Sequence, residues 1–225
     1  MSLVMKNNYW ILRHGKSIPN ERGIVVSSIE NGTRSEFQLA PDGVNQAQLA
    51  GNLFQKELEA NNIAIANVRI CYSPFSRTSH TANVVATELN IPFDGSQCKV
   101  FDDLRERYFG PSIELLSHDK YAEIWELDAK DPFVGPEGGE SVKDVAGRLA
   151  RTMAVIESEF QGCAILVVSH GDPLQILQTV LHGANKHKEL TSDDLASILA
   201  AVQVAPILSQ HRQYALNTGE LRRVI

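Results

Sequence analysis

Tyr9-Trp10-Ile11-Leu12-Arg13-His14-Gly15 decides how the rest of the chain is read. An apolar run of strand length delivers an arginine, a histidine and a glycine at its end, and Lys16-Ser17-Ile18-Pro19-Asn20 then reads as loop. Cys163-Ala164-Ile165-Leu166-Val167-Val168-Ser169-His170-Gly171 has the same form, a clearer apolar strand that also ends in His-Gly. Ligands of α/β proteins sit beyond the carboxyl ends of the strands. Two such strands side by side put His14 and His170 at one rim, with Arg13 beside them. Histidine acts as a nucleophile and arginine pairs in bidentate fashion with phosphate oxygens, so the rim reads as a phosphoryl site.

Working outward, residues 21–37 are polar and lack sustained periodicity, which predicts a surface excursion near the site, with Val25-Val26-Ser27-Ser28-Ile29 as a short local element. Pro41-Asp42-Gly43 ends it. Val44, Ala47, Leu49-Ala50, Leu53-Phe54 and Leu58 then recur at amphipathic-helix spacing over 40–60. Residues 67–72 read as a second strand closed by Ser73-Pro74, and 77–89 as a helix whose first turn carries Arg77 to the same rim. Val100-Phe101 is a candidate short strand. The charged turn region 102–111 reads residue by residue as a solvated face, 113–129 as one or two helices over the mouth of the sheet, and Glu140-Ser141 opens a helix to about 160. Pro173 suits the opening turn of a helix through 181. Residues 194–203 form another short element, and 214–216 and 221–225 are candidate late strands. Alternating strands and helices predict an α/β fold, a three-layer αβα sandwich around a mostly parallel sheet.

A chain of 225 residues buries roughly 70% of its unfolded surface and fits one domain, residues 1–225. Its net charge of -6 speaks against general nucleic-acid binding, which needs a basic face, yet a few arginines converging in a cleft suffice for an anionic substrate. Three cysteines cannot all pair within the chain. Cys71 and Cys163 sit in apolar runs and read as small buried hydrophobes, which favours a reducing compartment. The sequence shows no basic region followed by a long apolar one and no run of bilayer-spanning length, so no membrane partner is expected. Cytoplasmic localisation is the default expectation, with an organelle left open. The helices carry no sign that separates a monomer from a homo-oligomer.

Four groups at corresponding strand ends, Arg13, His14, Arg77 and His170, weigh more than any one of them. Metal catalysis by His14, His170 and Asp172 is disfavoured by two arginines in the same rim and by the lack of HExxH or paired-cysteine spacing. Neither GxGxxG nor GxxxxGK[ST] occurs, so no nucleotide cofactor is implied, and no GxSxG elbow supports serine hydrolysis. His80, His118, His182, His187 and His211 read as surface or satisfied helix residues.

Leu12-Arg13-His14-Gly15-Lys16-Ser17 with Asn20 resembles the signature of the histidine phosphatase superfamily, in the branch that contains cofactor-dependent phosphoglycerate mutases and related phosphatases. Ser73-Pro74-Phe75-Ser76-Arg77-Thr78-Ser79-His80-Thr81-Ala82 resembles its second motif, and Leu39-Ala40-Pro41-Asp42-Gly43 its turn and first helix. Glu106, Gly138-Gly139-Glu140-Ser141 and Val168-Ser169-His170-Gly171 complete the set. The resemblance implies a phosphoglycerate mutase-like fold and a metal-independent hydrolase. It makes His14 the nucleophile that becomes phosphohistidine. Arg13, Arg77 and His170 would hold the nonbridging oxygens, and Asn20 would line the phosphate pocket. Glu106 would act as acid and then base, with Asp102, Asp103 and Glu140 as competing acids. No cofactor and no metal are implied.

Arg107-Tyr108-Phe109-Gly110 is similar to the mutase stretch after the acid. Only about 30 residues separate Gly110 from Glu140-Ser141, however, and no Arg-Arg pair lies between Lys120 and Lys130, so the groups that the mutases use for phosphoglycerate are missing. The usual phosphatase ending is missing too, since Gly110 is followed by Pro111-Ser112-Ile113-Glu114. The expectation is a phosphomonoesterase acting on a small phosphorylated metabolite. A phosphoglycerate mutase and a phosphate-binding regulatory protein with little turnover are the alternatives.

Overall fold

A computed structural model describes residues 5–186 and 195–224. Strand β1 (Asn8–Arg13) is followed by short helices α1 (Ile18–Arg22) and α2 (Ile29–Gly32), then by the long α3 (Pro41–Ala60). Next come β2 (Val68–Tyr72), α4 (Ser76–Glu88), β3 (Cys98–Val100), α5 (Tyr121–Lys130) and α6 (Val142–Glu159). After β4 (Ala164–Ser169) the chain forms α7 (Gly171–Lys186), α8 (Leu195–Ala201), α9 (Ala205–Leu208) and β5 (Leu221–Arg223). Among the described residues the strands make one five-stranded sheet in the order β3-β2-β4-β1-β5. The edge strand β5 runs antiparallel to β1, and the pairs β1–β4, β2–β4 and β2–β3 are parallel.

Alternation along each strand builds the layers. Tyr9 and Ile11 of β1 join Ile165 and Val167 of β4 in a core under α6, α7 and α8. Trp10 and Leu12 join Ala164, Leu166 and Val168 in the opposite core, under α3 and α4. All six residues of β4 are buried, as a strand covered on both faces requires. The result is the three-layer, mostly parallel sandwich expected from the sequence. Cys71 and Cys163 are buried free thiols. Among the described residues no helix is long and apolar enough to cross a membrane.

Several local expectations give way. Ile18–Arg22 is helical rather than loop, because Ser17 and Asn20 form a reciprocal capping box and Pro19 lies in the first turn. Leu49 and Leu53 face solvent, and α3 packs instead through Ala47, Ala50, Gly51, Phe54 and Leu58. Close approach of α3 to α4 sets that face, with Gly51 against Glu88 and Val85. The third strand lies at Cys98–Val100 rather than Val100-Phe101. No strand forms at 214–216; a 3-10 turn at His211–Tyr214 leads into Leu216, whose side chain packs in the core. His187, Asp194 and Ile225 lie outside the described residues.

Candidate active site

Register carries the two His-Gly strand ends to the same level. Arg13 pairs with Ser169 across β1 and β4, and the His14 N–H donates to the Ser169 carbonyl at 3.0 Å. The imidazole centroids of His14 and His170 are therefore 5.3 Å apart. On the other side of β4, Ser73 leaves β2 with its N–H bonded to Val168, and the chain turns at once into α4, whose second residue is Arg77. The turn after His14 is as tight. A Cβ on Gly15 would strike the Gly43 carbonyl, and one on Gly43 would strike that of Lys16, so Gly15 and Gly43 let this turn seat against the start of α3.

Arg13, His14, Asn20, Arg77 and Glu106 line one cavity of about 400 Å³. His170 lies beneath it, fully buried, rather than among the lining residues. His14 Nδ1 is 2.7 Å from the Gly15 carbonyl, so Nδ1 carries the proton and donates. That leaves Nε2 with its lone pair, which accepts from Arg77 Nε at 3.1 Å. Burial, reinforced by the charges of Arg77 and Arg13, holds the His14 pKa well below the usual histidine range. The same factors, burial first, keep His170 neutral. Its Nε2 is 2.8 Å from Ser73 Oγ, and its Nδ1, 3.7 Å from Glu106 Oε2, has no hydrogen-bond partner.

The arginines are anchored and incompletely used. Arg13 Nη1 donates to the Leu216 carbonyl at 2.6 Å, while its buried Nε has no acceptor. Arg77 Nη2 donates to Val26 at 3.0 Å, while its buried Nη1 has none. Asn20 Oδ1 is taken by Ser17 N and Oγ, which leaves Nδ2 as the amide atom available to a ligand.

Among the acids, the structure treats Glu106 and Glu140 differently. Burial pushes the Glu106 pKa up to about 7 against the pull of Arg77 and Arg13, and the Asp172 charge adds to the rise. Glu106 Oε1 accepts from the Arg107 N–H at 2.9 Å. Burial of Glu140 is outweighed by bonds from Arg148 at 2.9 and 3.0 Å and from the Tyr108 N–H, so its pKa lies below the usual range. Asp103 pairs with Arg105 at 2.8 Å, and neither Asp102, Asp103 nor Glu140 lines the cavity.

The stretch read as a solvated face is in part interior. Arg107 is fully buried, forked onto Asp128 at 2.7 and 2.8 Å and bonded to Asp172 at 3.2 Å. His211, expected to be a surface or satisfied residue, is fully buried with Nε2 lacking a hydrogen-bond partner, 3.6 Å from Asp128. Asp128, Asp172 and His211 have the donor set of a metal site. The Arg107 guanidinium already supplies the cation between the two carboxylates, and a divalent ion beside it would be repelled.

His118, Tyr121, Trp125, Gln175 and Arg212, none of which the sequence marks as a site residue, line the same cavity. Gln175 was within reach, since it lies three residues after Asp172 on one face of α7. The others depend on how 113–130 and 211–216 fold over the sheet, which no local pattern specifies.

Known proteins resemble this chain in sequence or in fold. A 2,3-bisphosphoglycerate-dependent phosphoglycerate mutase of Methylobacterium sp. is 30% identical over 77% of this chain and 79% of its own length. A phosphoserine phosphatase of Entamoeba histolytica, solved with 3-phosphoglyceric acid, matches in fold with a TM-score of 0.63 at 16% identity, covering 96% of this chain and 88% of that one. A mycobacterial glucosyl-3-phosphoglycerate phosphatase matches with a TM-score of 0.58 at 22% identity, covering 86% and 83%. The family model of the histidine phosphatase superfamily (branch 1) matches residues 9–200. The chain thus belongs to that superfamily and is an enzyme of the phosphatase type.

Proposed function

We propose that the protein is a metal-independent phosphomonoesterase that works through a phosphohistidine at His14 and acts on a small phosphorylated metabolite. One observation carries the reading. Buried donors with no acceptor, Arg13 Nε and Arg77 Nη1, belong to arginines that line one cavity with His14, a neutral imidazole whose Nε2 is unprotonated and accepts from Arg77 Nε. Unfilled buried donors are costly unless a ligand completes them, and a phosphoryl group has the oxygens to do so.

In this scheme the ester phosphate takes the Arg77 guanidinium, which frees His14 Nε2 to attack phosphorus. The P–N bond forms as the P–O bond to the leaving group breaks, and the Glu106 carboxyl gives its proton to that oxygen. Water then attacks the phosphohistidine, Glu106 takes the proton back, and the P–N bond breaks to release phosphate. Fixed cationic donors stabilise the charge on the equatorial oxygens at both steps. Asn20 Nδ2 and His170 complete the set around those oxygens. Neutral His170 is a donor only through the ring nitrogen that holds its proton, so phosphate binding selects the Nδ1–H tautomer, with Ser73 donating to Nε2.

The mutase alternative has one specific support, the curated relatives named as phosphoglycerate mutases. A single assay separates the readings. Chelator-treated protein is given a panel of phosphomonoesters, including 3-phosphoglycerate with and without 2,3-bisphosphoglycerate, and free phosphate and isomerised product are followed together. The expected result is phosphate release that is insensitive to chelator, without isomerisation. Isomerisation that depends on the bisphosphate would replace the phosphatase reading with the mutase one, and loss of turnover on chelation would contradict the metal-independent mechanism.

A further inference from the structure

The cavity is larger than a phosphoryl group needs, and its remaining lining has a defined chemistry. From Glu106 an aromatic series leads outward. Phe109 is buried and meets Tyr121 edge-on at 5.2 Å between centroids. Tyr121 feels the charges of Glu106 and Arg77, and it stacks parallel to Trp125 at 6.0 Å. Trp125 is 37% exposed, so this series runs from the buried acid toward solvent. At its outer end the guanidinium carbon of Arg212 lies 3.4 Å from the centroid of the Trp125 ring.

Arg212 makes no ion pair and no side-chain hydrogen bond among the described residues. Stacking on the indole fixes the guanidinium while leaving its N–H edges free, an arrangement suited to in-plane, bidentate oxygen acceptors. A second unfilled group lies in the same cavity. Gln175 is 6% exposed, and its buried Oε1 has no partner. A donor such as a hydroxyl completes it. Asp172, the carboxylate that lines the cavity beside Glu106, has its charge countered by Arg107 at 3.2 Å and does not neutralise Arg212. His118, also in the lining, is kept toward its neutral form by burial, so it is a weak competitor for an anion.

We infer that Arg212, held on Trp125, is a specificity-determining residue that grips an oxyanion at the non-reacting end of the substrate. The substrate class is therefore a small phosphomonoester with a carboxylate or a second phosphate at its far end. This inference rests on the phosphatase reading, and it draws on residues outside the motifs that define the family.

Two matched pairs of esters test it: 3-phosphoglycerate against glycerol 3-phosphate for a carboxylate, and fructose 1,6-bisphosphate against fructose 6-phosphate for a second phosphate. p-Nitrophenyl phosphate serves as a general reporter of phosphatase chemistry. The wild type prefers the more anionic member of at least one pair in kcat/KM, and the pair that shows the preference identifies the oxyanion. Arg212→Gln reduces that preference about 10- to 100-fold, as expected for a charge-assisted contact, mainly through KM. Arg212→Lys retains part of it. Each preference is a ratio read on one preparation, so an unfolded fraction cancels. No preference in either pair, or a preference that survives Arg212→Gln, overturns the subsite while phosphatase turnover stands. Failure of the wild type on every ester, p-nitrophenyl phosphate included, overturns the phosphatase reading and the subsite with it.

Discussion

Replacing His14 by alanine is expected to lower kcat/KM on every phosphomonoester by on the order of 10⁵-fold or more, the scale of losing a covalent nucleophile from an otherwise complete site. No described neighbour can take over. His170 is fully buried beneath the cavity, and its neutral ring is occupied by Ser73 at Nε2. Arg13 and Arg77 remain anchored to the Leu216 and Val26 carbonyls in the variant. Inorganic phosphate should therefore still bind, and calorimetry on the inactive variant separates loss of chemistry from loss of the site. Turnover within a hundredfold of wild type would remove His14 from the mechanism.

Glu106→Gln is the second large effect, and it divides by leaving group. With Glu106 titrating near 7, kcat/KM on an alkyl phosphate falls as pH rises through 7, because the acid form needed to protonate the leaving oxygen is lost. On the acid side His14 stays neutral, since its pKa lies well below the usual range; the limit there comes from the substrate phosphate, whose second ionisation lies at about 6. Glutamine cannot ionise, so the variant loses the alkaline limb and about 10²- to 10⁴-fold in rate on alkyl phosphates. p-Nitrophenolate needs no proton to depart. Phosphorylation by p-nitrophenyl phosphate is thus less affected than the water step, which has lost its base. A burst of p-nitrophenol followed by slow turnover is the expected trace. An unchanged pH profile on alkyl phosphates would assign the acid elsewhere.

Much of the layered fold was legible because its signals are local. The apolar runs ending at Arg13 and Ser169 are strands by composition, and their alternating faces explain both cores. The shared position of His14 and His170 follows from parallel register, which the repeated strand-His-Gly form anticipates. Glu106 and Arg107 were harder. A run of acids and arginines has the composition of a surface, and only the distant Asp128 and Asp172, brought in by α5 and α7, make burial of Arg107 affordable. The strand expected at 214–216 failed for a related reason. Leu216 is apolar because it plugs the core next to Arg13, a tertiary role with no period of its own. Arg212 and Trp125 meet across nearly ninety positions of sequence, and nothing local marks either as a cavity residue.

The mechanism requires a covalent intermediate, and the most direct measurement of it is intact-protein mass after the Glu106→Gln variant is mixed with p-nitrophenyl phosphate and rapidly quenched. A single acid-labile phosphoryl adduct, mapping to His14 and missing when His14→Ala is combined with Glu106→Gln, is the predicted result. Phosphate release with no adduct at any quench time, or an adduct on another residue, would contradict it.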